Sequence, residues 1–324
     1  MKLRSLGERE LIALIAKEFP KKGRDIILGI GDDAALIKPG KIPIILTKDL
    51  LVEKVDFFRS LHPPYSLGRK SLNVSLSDVA AMGGRPRFAL LGLGLPPATR
   101  ASWIGEFLHG FKSAALEAGV RLIGGDLSRA REIFISVTVL GDCETAVPRS
   151  GGKPGHLLFV SGFLGDARAG LQLLGKGFKP GRRGKAGPLL KAFLDPTPQL
   201  KLGRELARRK LASAMIDLSD GLSVDLMHLC DAGGTGAEIV LDRLPLSPGI
   251  RAFIRRPIAL ALHGGEDFEL LFAAPPKNRA AIRSAKLKPP VYEIGRLTAR
   301  KGIFIIDGQG VKKPLEPQGY EHFK

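Results

Sequence analysis

Several short motifs of this chain set a carboxylate beside an apolar run or a pair of glycines. They are GIGDDAAL (Asp32, Asp33), TKDLLVE (Asp49), SLSDVAAMGG (Asp78), GGDLSR (Asp126), MIDLSDGL (Asp217, Asp220) and HGGEDFELLF (Glu266, Asp267). Such contexts describe strand ends and tight turns, where burying a carboxylate is costly unless a cation neutralises it. Hard oxygen ligands with no Cys or His partner suit Mg²⁺, which needs one or two carboxylates per ion plus substrate phosphate. Magnesium held this way in a basic protein points to a nucleotide polyphosphate. Taken singly, each aspartate has a plainer reading as a helix cap or turn residue, and Asp217 or Ser219 before a helix could serve only as that. All of these motifs in one chain are harder to explain so.

Familiar phosphate-binding signatures are missing. Nothing matches GxxxxGK[ST], a protein-kinase HRD and DFG set, or a GxGxxG turn after the first strand. GIGDD puts an acidic pair where a dinucleotide turn would seat phosphate, so phosphate could bind there only through bridging cations. The chemistry that fits is transfer of a γ-phosphoryl group, with ions offsetting the repulsion among phosphates and stabilising transition-state charge.

These residues need elements to position them. Ser5 with Glu8 resembles a capping box opening a helix over 7–18. Residues 25–31 and 41–52 read as strands running into acidic turns. A helix over 66–82 carries Asp78 near its C-terminal end, and another spans 99–118. Strands follow at 88–95, 120–125 and 132–140. The stretch 141–156 is rich in turn formers and marks the domain boundary, giving an N-terminal domain over 1–143 and a C-terminal domain over 144–324. The second half reads as strands at 156–162, 213–217, 236–241, 267–273, 290–296 and 302–307, with helices after 163, at 198–209 and after 219. The segment 175–188 reads as a flexible basic loop. Strands and helices mix in both halves, so the class is α/β (α+β).

Composition bounds the function. With 324 residues, two domains are expected. Lys and Arg number 50 against 32 Asp and Glu, a net charge of +18. That surplus raises nucleic-acid binding as an alternative, but aromatics are only 6%, too few for a base-stacking surface. Steering of a polyanionic small substrate, or a merely solvated basic face, is the preferred reading. Cys143 and Cys230 have neither CxxC spacing nor His neighbours, so a reducing cytoplasm is expected, without disulfide framework or zinc. No apolar stretch approaches the roughly 18 residues of a membrane span.

Together the motifs resemble those of the thiamine-monophosphate kinases, within the aminoimidazole-ribonucleotide-synthetase-like superfamily. The resemblance rests on GIGDDAAL, the strand ending in Thr47-Lys48-Asp49, LSDVAAMGG, LIGGD, RSGGKPG, IDLSDGL, GGEDFELLF and the terminal GYEHF, in order over nearly the whole chain. GGEDFELLF with GYEHF is the more specific pair. The resemblance implies a two-domain fold, an N-terminal mixed-sheet domain plus a C-terminal α/β domain, paired as a homodimer. It implies that Asp33, Thr47, Asp49, Asp78, Asp126, Asp217 and Asp220 hold magnesium around ATP. Asp49, Asp126 and Asp220 would be catalytic, and Gly125, Asp126, Arg149 and Ser219 would contact the nucleotide. Glu266 and Tyr320, with Asp56, would face thiamine monophosphate. The nearest alternatives are another ATP-using enzyme of the superfamily and a non-catalytic nucleic-acid-binding relative.

The sequence departs from the family pattern at Lys48, where a hydroxyl is usual, Asp56 for His, Leu127 for Thr and Ser75 for Asn. In an extended strand alternate side chains face opposite ways, so Thr47 and Asp49 share a face and Lys48 points away. If the strand instead ended at Thr47, Lys48 would point inward and its ammonium would replace one metal ion.

Overall fold

A computed structural model describes residues 26–29, 31–38, 40–181 and 183–319; the helix expected over 7–18 lies outside them, as does Tyr320. Two sheets organise the chain. The first contains β1 (Ile26–Leu28), β2 (Ala35–Ile37), β3 (Ile44–Val52), β4 (Arg85–Leu95), β5 (Arg121–Arg129) and β6 (Phe134–Asp142), ordered β1-β2-β3-β6-β4-β5. Its pairings are antiparallel except β4 with β5.

β3 and β6 show why these segments are strands. Ile135, Val137 and Val139 are buried on β6, as are Ile45 and Thr47 on β3, while the alternate residues Lys48 and Leu50 are exposed. That period of two covers one face of the sheet with α1 (Pro64–Ala81) and α2 (Ala101–Ala118). Pro64 opens α1, where its missing N–H costs nothing. The two helices cross closely: a Cβ on Gly68 would lie 1.9 Å from the carbonyl oxygen of Phe107, and one on Gly110 equally close to that of Tyr65.

The second sheet contains β7 (Leu157–Ser161), β8 (Ala214–Asp217), β9 (Gly236–Val240), β10 (Leu270–Ala274), β11 (Val291–Thr298), β12 (Ile303–Ile306) and β13 (Lys312–Pro314). Its order is β13-β12-β9-β11-β7-β10-β8. One face packs on α3 (Asp166–Gly175), α4 (Ala186–Leu194) and α6 (Leu222–Gly233). The other meets the N-terminal half. Ala80 and Ala81 of α1 pack with Leu202 and Leu206 of α5 (Leu200–Arg208) against Met215 and Phe272. Each large side chain buried there contributes about 1.5–3 kcal/mol. α1 therefore lies between the two sheets, and its C-terminal turns reach both.

The basic loop is shorter than the sequence suggests, because α4 already begins at Ala186. α4 and three short helices, α7 (Pro248–Phe253), α8 (Pro257–His263) and α9 (Arg279–Ser284), were absent from the sequence reading. The three short ones run two turns or fewer, below the length at which apolar periodicity is legible. Cys143 and Cys230 are buried free thiols. No helix among the described residues is long and apolar enough to cross a membrane.

Candidate active site

Three segments distant in sequence bring carboxylates together. Asp33 comes from the turn before β2, Asp78 from the last turns of α1, and Asp217 from the end of β8. Oxygens of the three lie within 4.8 Å of one another. Thr47 donates its hydroxyl to Asp78 Oδ2, and Ser77 donates to Asp217 Oδ2 at 2.6 Å. Asp49 shares the inward face of β3 with Thr47, and its Oδ2 is buried with no hydrogen-bond partner. A buried carboxylate oxygen without a partner, beside three more carboxylates, fits the role of a cation ligand. The donors are oxygen throughout, which fits Mg²⁺.

Electrostatics agree with that reading. Burial, with charge from Asp49, Asp217 and Asp33, pushes the Asp78 carboxyl well above its usual range. Burial, then Asp33, pushes Asp217 up to about 8. Burial raises Asp49 against the Ser75 hydroxyl, which acts to lower it. Asp32, raised to about 6 by burial and by Asp33, accepts a hydrogen bond from the Arg149 N–H at 3.3 Å.

Arg149 supplies the one guanidinium in contact with the cluster among the described residues. It lies in a single 3-10 turn, Arg149–Gly151, and its Nε and Nη2 donate to the two Asp33 oxygens at 2.8 and 2.9 Å. Burial works against its charge, but Asp33 and Asp32 hold its pKa above the ordinary arginine value. The bidentate fork suits a carboxylate or a phosphate equally.

The MIDLSDGL turn joins β8 to α6. Gly221 caps α6 with no side-chain hydrogen bond, so neither Asp217 nor Ser219 acts as a helix cap. Buried Asp225 instead accepts the N–H groups of Asp220 and Gly221, at 3.2 and 3.0 Å, and fixes the turn. The carbonyl of Ser219 receives the Glu266 N–H at 2.7 Å, tying this turn to the GGED loop.

Four sequence-predicted residues stand differently from the central group. Gly125 and Asp126 sit on β5, which is exposed along its whole length. Gly125 falls in register with Leu91 and Val137 and, through them, with Asp49, three strand spacings away. That places it roughly 14 Å from Asp49. A Cβ on Gly125 would lie 1.9 Å from the Leu91 carbonyl oxygen, so no other residue fits. Glu266 is already paired: its Oε1 accepts from Lys70 Nζ at 2.6 Å, and Lys70, on α1, is 1% exposed. Asp56 turns back on its own chain, accepting from the Val52 N–H at 2.7 Å. Lys48 points to the opposite face from Thr47, donating to Ser136 Oγ at 2.7 Å.

Sequence reasoning passed over Ser77, Lys70 and Asp225. Ser77 sits beside Asp78 in LSD, and Lys70, next to Arg69, is a basic residue within a helix that is buried along most of its length; that was the one available signal.

Comparison with known proteins adds to this geometry. The family model described as AIR synthase related protein, N-terminal domain, matches residues 31–143, and its C-terminal counterpart matches 153–308. The chain is 37% identical to the thiamine-monophosphate kinase of Aquifex aeolicus (strain VF5) over the whole of both chains. It is 38% identical to that of Escherichia coli (strain K12) over 98% of each. Among solved structures it is similar to one described as AaThiL complexed with AMPPCP and TMP, at 36% identity, 99% coverage of both chains and a TM-score of 0.88.

Proposed function

The chain belongs to the thiamine-monophosphate kinase family, and we propose that it transfers the γ-phosphoryl group of ATP to thiamine monophosphate, giving ADP and thiamine diphosphate. The observation that carries this reading is the convergence of Asp33, Asp78 and Asp217 from three distant segments beside the Arg149 fork. Carboxylates so placed repel one another and any polyphosphate unless cations intervene.

Asp33, Thr47, Asp49, Asp78 and Asp217 would hold Mg²⁺, with Asp126 and Asp220 extending the set. Bound there, Mg²⁺ supplies Lewis-acid charge to the phosphate oxygens. The rest falls to the chain's own side chains. Arg149 exchanges one Asp33 contact for a phosphate oxygen, a trade its planar fork makes without a change of geometry. Gly125 lets the β5 backbone approach the nucleotide, with Asp126 and Ser219 beside it. The acceptor is a phosphate already ionised at neutral pH, so no strong general base is needed. Asp49, Asp126 and Asp220 act by orientation and charge.

At the thiamine end, Lys70 engages one oxygen of Glu266 and holds that carboxylate in place. Its other oxygen would then meet the cationic substrate, and Tyr320 and Asp56 are assigned to the same substrate, the one for its aromatic ring and the other for its carboxylate. The division into domains at 143/144 goes with this reading, as does a cytoplasmic place for the enzyme. The surplus positive charge attracts polyphosphates rather than nucleic acid.

We assign a homodimer as well. β5 is an edge strand carrying Leu122, Ile123 and Leu127 at 46, 59 and 74% exposure, and Leu90 on the adjoining β4 is exposed too. A long apolar edge is an aggregation hazard unless something covers it. A second copy covering β5 would also close over Gly125 and Asp126.

Transfer of label from γ-labelled ATP to thiamine monophosphate tests the function. Labelled thiamine diphosphate is expected; label appearing only in inorganic phosphate would refute it.

A further inference from the structure

A second concave site lies in the C-terminal half and shares no residue with the acidic cluster. It is a cavity of about 970 Å³ between α9, β11 and the segment after β9. Five cationic side chains line it, Arg243, Arg251, Arg279, Arg283 and Lys286, against two carboxylates, Asp242 and Glu293. A solvated basic face would be flat, with its cations spread apart. Here they converge on a concavity of the size that encloses small ligands.

Glu293 organises the clamp. Its side chain is 11% exposed and meets three guanidiniums: Arg279 Nη2 at 2.6 Å, Arg283 Nη2 at 3.4 Å and Arg243 Nη1 at 3.8 Å. One carboxylate neutralises one of the three. Each guanidinium engages it through a single nitrogen, although a fork can offer two parallel donors to an anion. The arginines are therefore held near one another with surplus charge, an arrangement that lowers the cost of receiving a polyanion.

The remaining walls are apolar and aromatic. Phe159, Ile282, Leu287 and Val291 line the interior side. The rings of Phe163 and Tyr292 lie 6.3 Å apart at a tilt of 32°, and Phe163 is 41% exposed. An exposed aromatic face beside a guanidinium clamp is suited to a planar ring that carries phosphate.

We propose that this cavity binds a phosphate-bearing aromatic ligand of the nucleoside-diphosphate class, at a site separate from the one that transfers phosphoryl groups. The test is a titration of the full chain with fluorescent N-methylanthraniloyl-ADP in excess chelator. Without a cation the acidic cluster repels polyphosphate, while the arginine clamp is unaffected. The choice of chelator rests on the kinase reading, so the variants make the assignment independently.

Saturable binding in chelator is expected. It should weaken about tenfold or more in Arg279→Ala/Arg283→Ala, keep its affinity in Asp49→Asn, and leave turnover of the double variant intact. Tyr292→Leu should weaken the nucleotide while sparing competition by pyrophosphate. The proposal is overturned by absence of binding in chelator, by binding indifferent to the arginine pair, or by pyrophosphate binding as tightly as the nucleotide.

Discussion

Lys48 Nζ donates to Ser136 Oγ at 2.7 Å, on the face of the first sheet opposite Thr47 and Asp49. The strand continues through Val52, so the alternation that sets Thr47 and Asp49 inward turns Lys48 out. Its ammonium does not replace a cation. Lys48→Thr should therefore leave the Mg²⁺ half-saturation and the cooperativity of turnover unchanged. Activity measured across a Mg²⁺ titration checks this; a steeper dependence in the variant would place the ammonium in the site.

Asp49 and Asp126 should separate catalysis from stability. Both Asp49→Asn and Asp126→Asn are expected to abolish turnover and leave the fold intact. Asp49 is half-buried and its Oδ2 is buried and unpartnered, so a neutral amide relieves desolvation and should raise the metal-free melting temperature by about 2 °C or more. Asp126 is exposed on β5, and its substitution should leave that temperature unchanged. Thermal melts in chelator, set beside turnover assays, distinguish the two.

The pH dependence of stability follows from the same carboxylates. The folded-state pKa of Asp217 is raised to about 8 by burial and by Asp33, and Asp78 is raised by burial and its acidic neighbours. A carboxyl raised in the folded state binds more protons there than when unfolded. Metal-free stability should accordingly fall as pH rises from near 4 towards 8, by up to about 1.4 kcal/mol per pH unit for Asp217, with Asp78 adding to the fall. Saturating Mg²⁺ should flatten the fall, because a cation favours the ionised form. Chemical denaturation at pH 5.5 and pH 7.5 with and without Mg²⁺ (values chosen roughly to bracket this window) measures it. Equal slopes in both conditions would separate these carboxylates from metal.

Much of this site was legible in the sequence because its parts are local. The alternation of β3 put Thr47 and Asp49 on one face, and the carboxylates beside apolar runs marked Asp33, Asp78 and Asp217 before any fold was known. What stayed hidden joins distant segments. Ser77 meets Asp217 across 140 residues, and Lys70 meets Glu266 across 196. No periodicity encodes such pairs; they exist only because α1 packs between the two sheets. Asp126, which the family resemblance joins to the same ligand set, lies on the exposed edge strand of the first sheet.

That edge gives the prediction for assembly. Leu127 is the most exposed of the large apolar residues on β5. A lysine there would bury a charge in any interface that covers the strand. Sedimentation should find a dimer for the native chain and a monomer for Leu127→Lys, with the monomer losing turnover if the partner closes over Gly125 and Asp126. A native chain that sediments as a monomer would remove the dimer from the account.

The central claim is that magnesium-bound ATP gives its γ-phosphoryl group to thiamine monophosphate in the site built on Asp33, Asp78 and Asp217. The most direct measurement is ADP release with thiamine monophosphate against unphosphorylated thiamine, each with and without Mg²⁺. The account predicts ADP release only where thiamine monophosphate and Mg²⁺ are both present. Equal release with thiamine, or release undiminished by chelator, would contradict it.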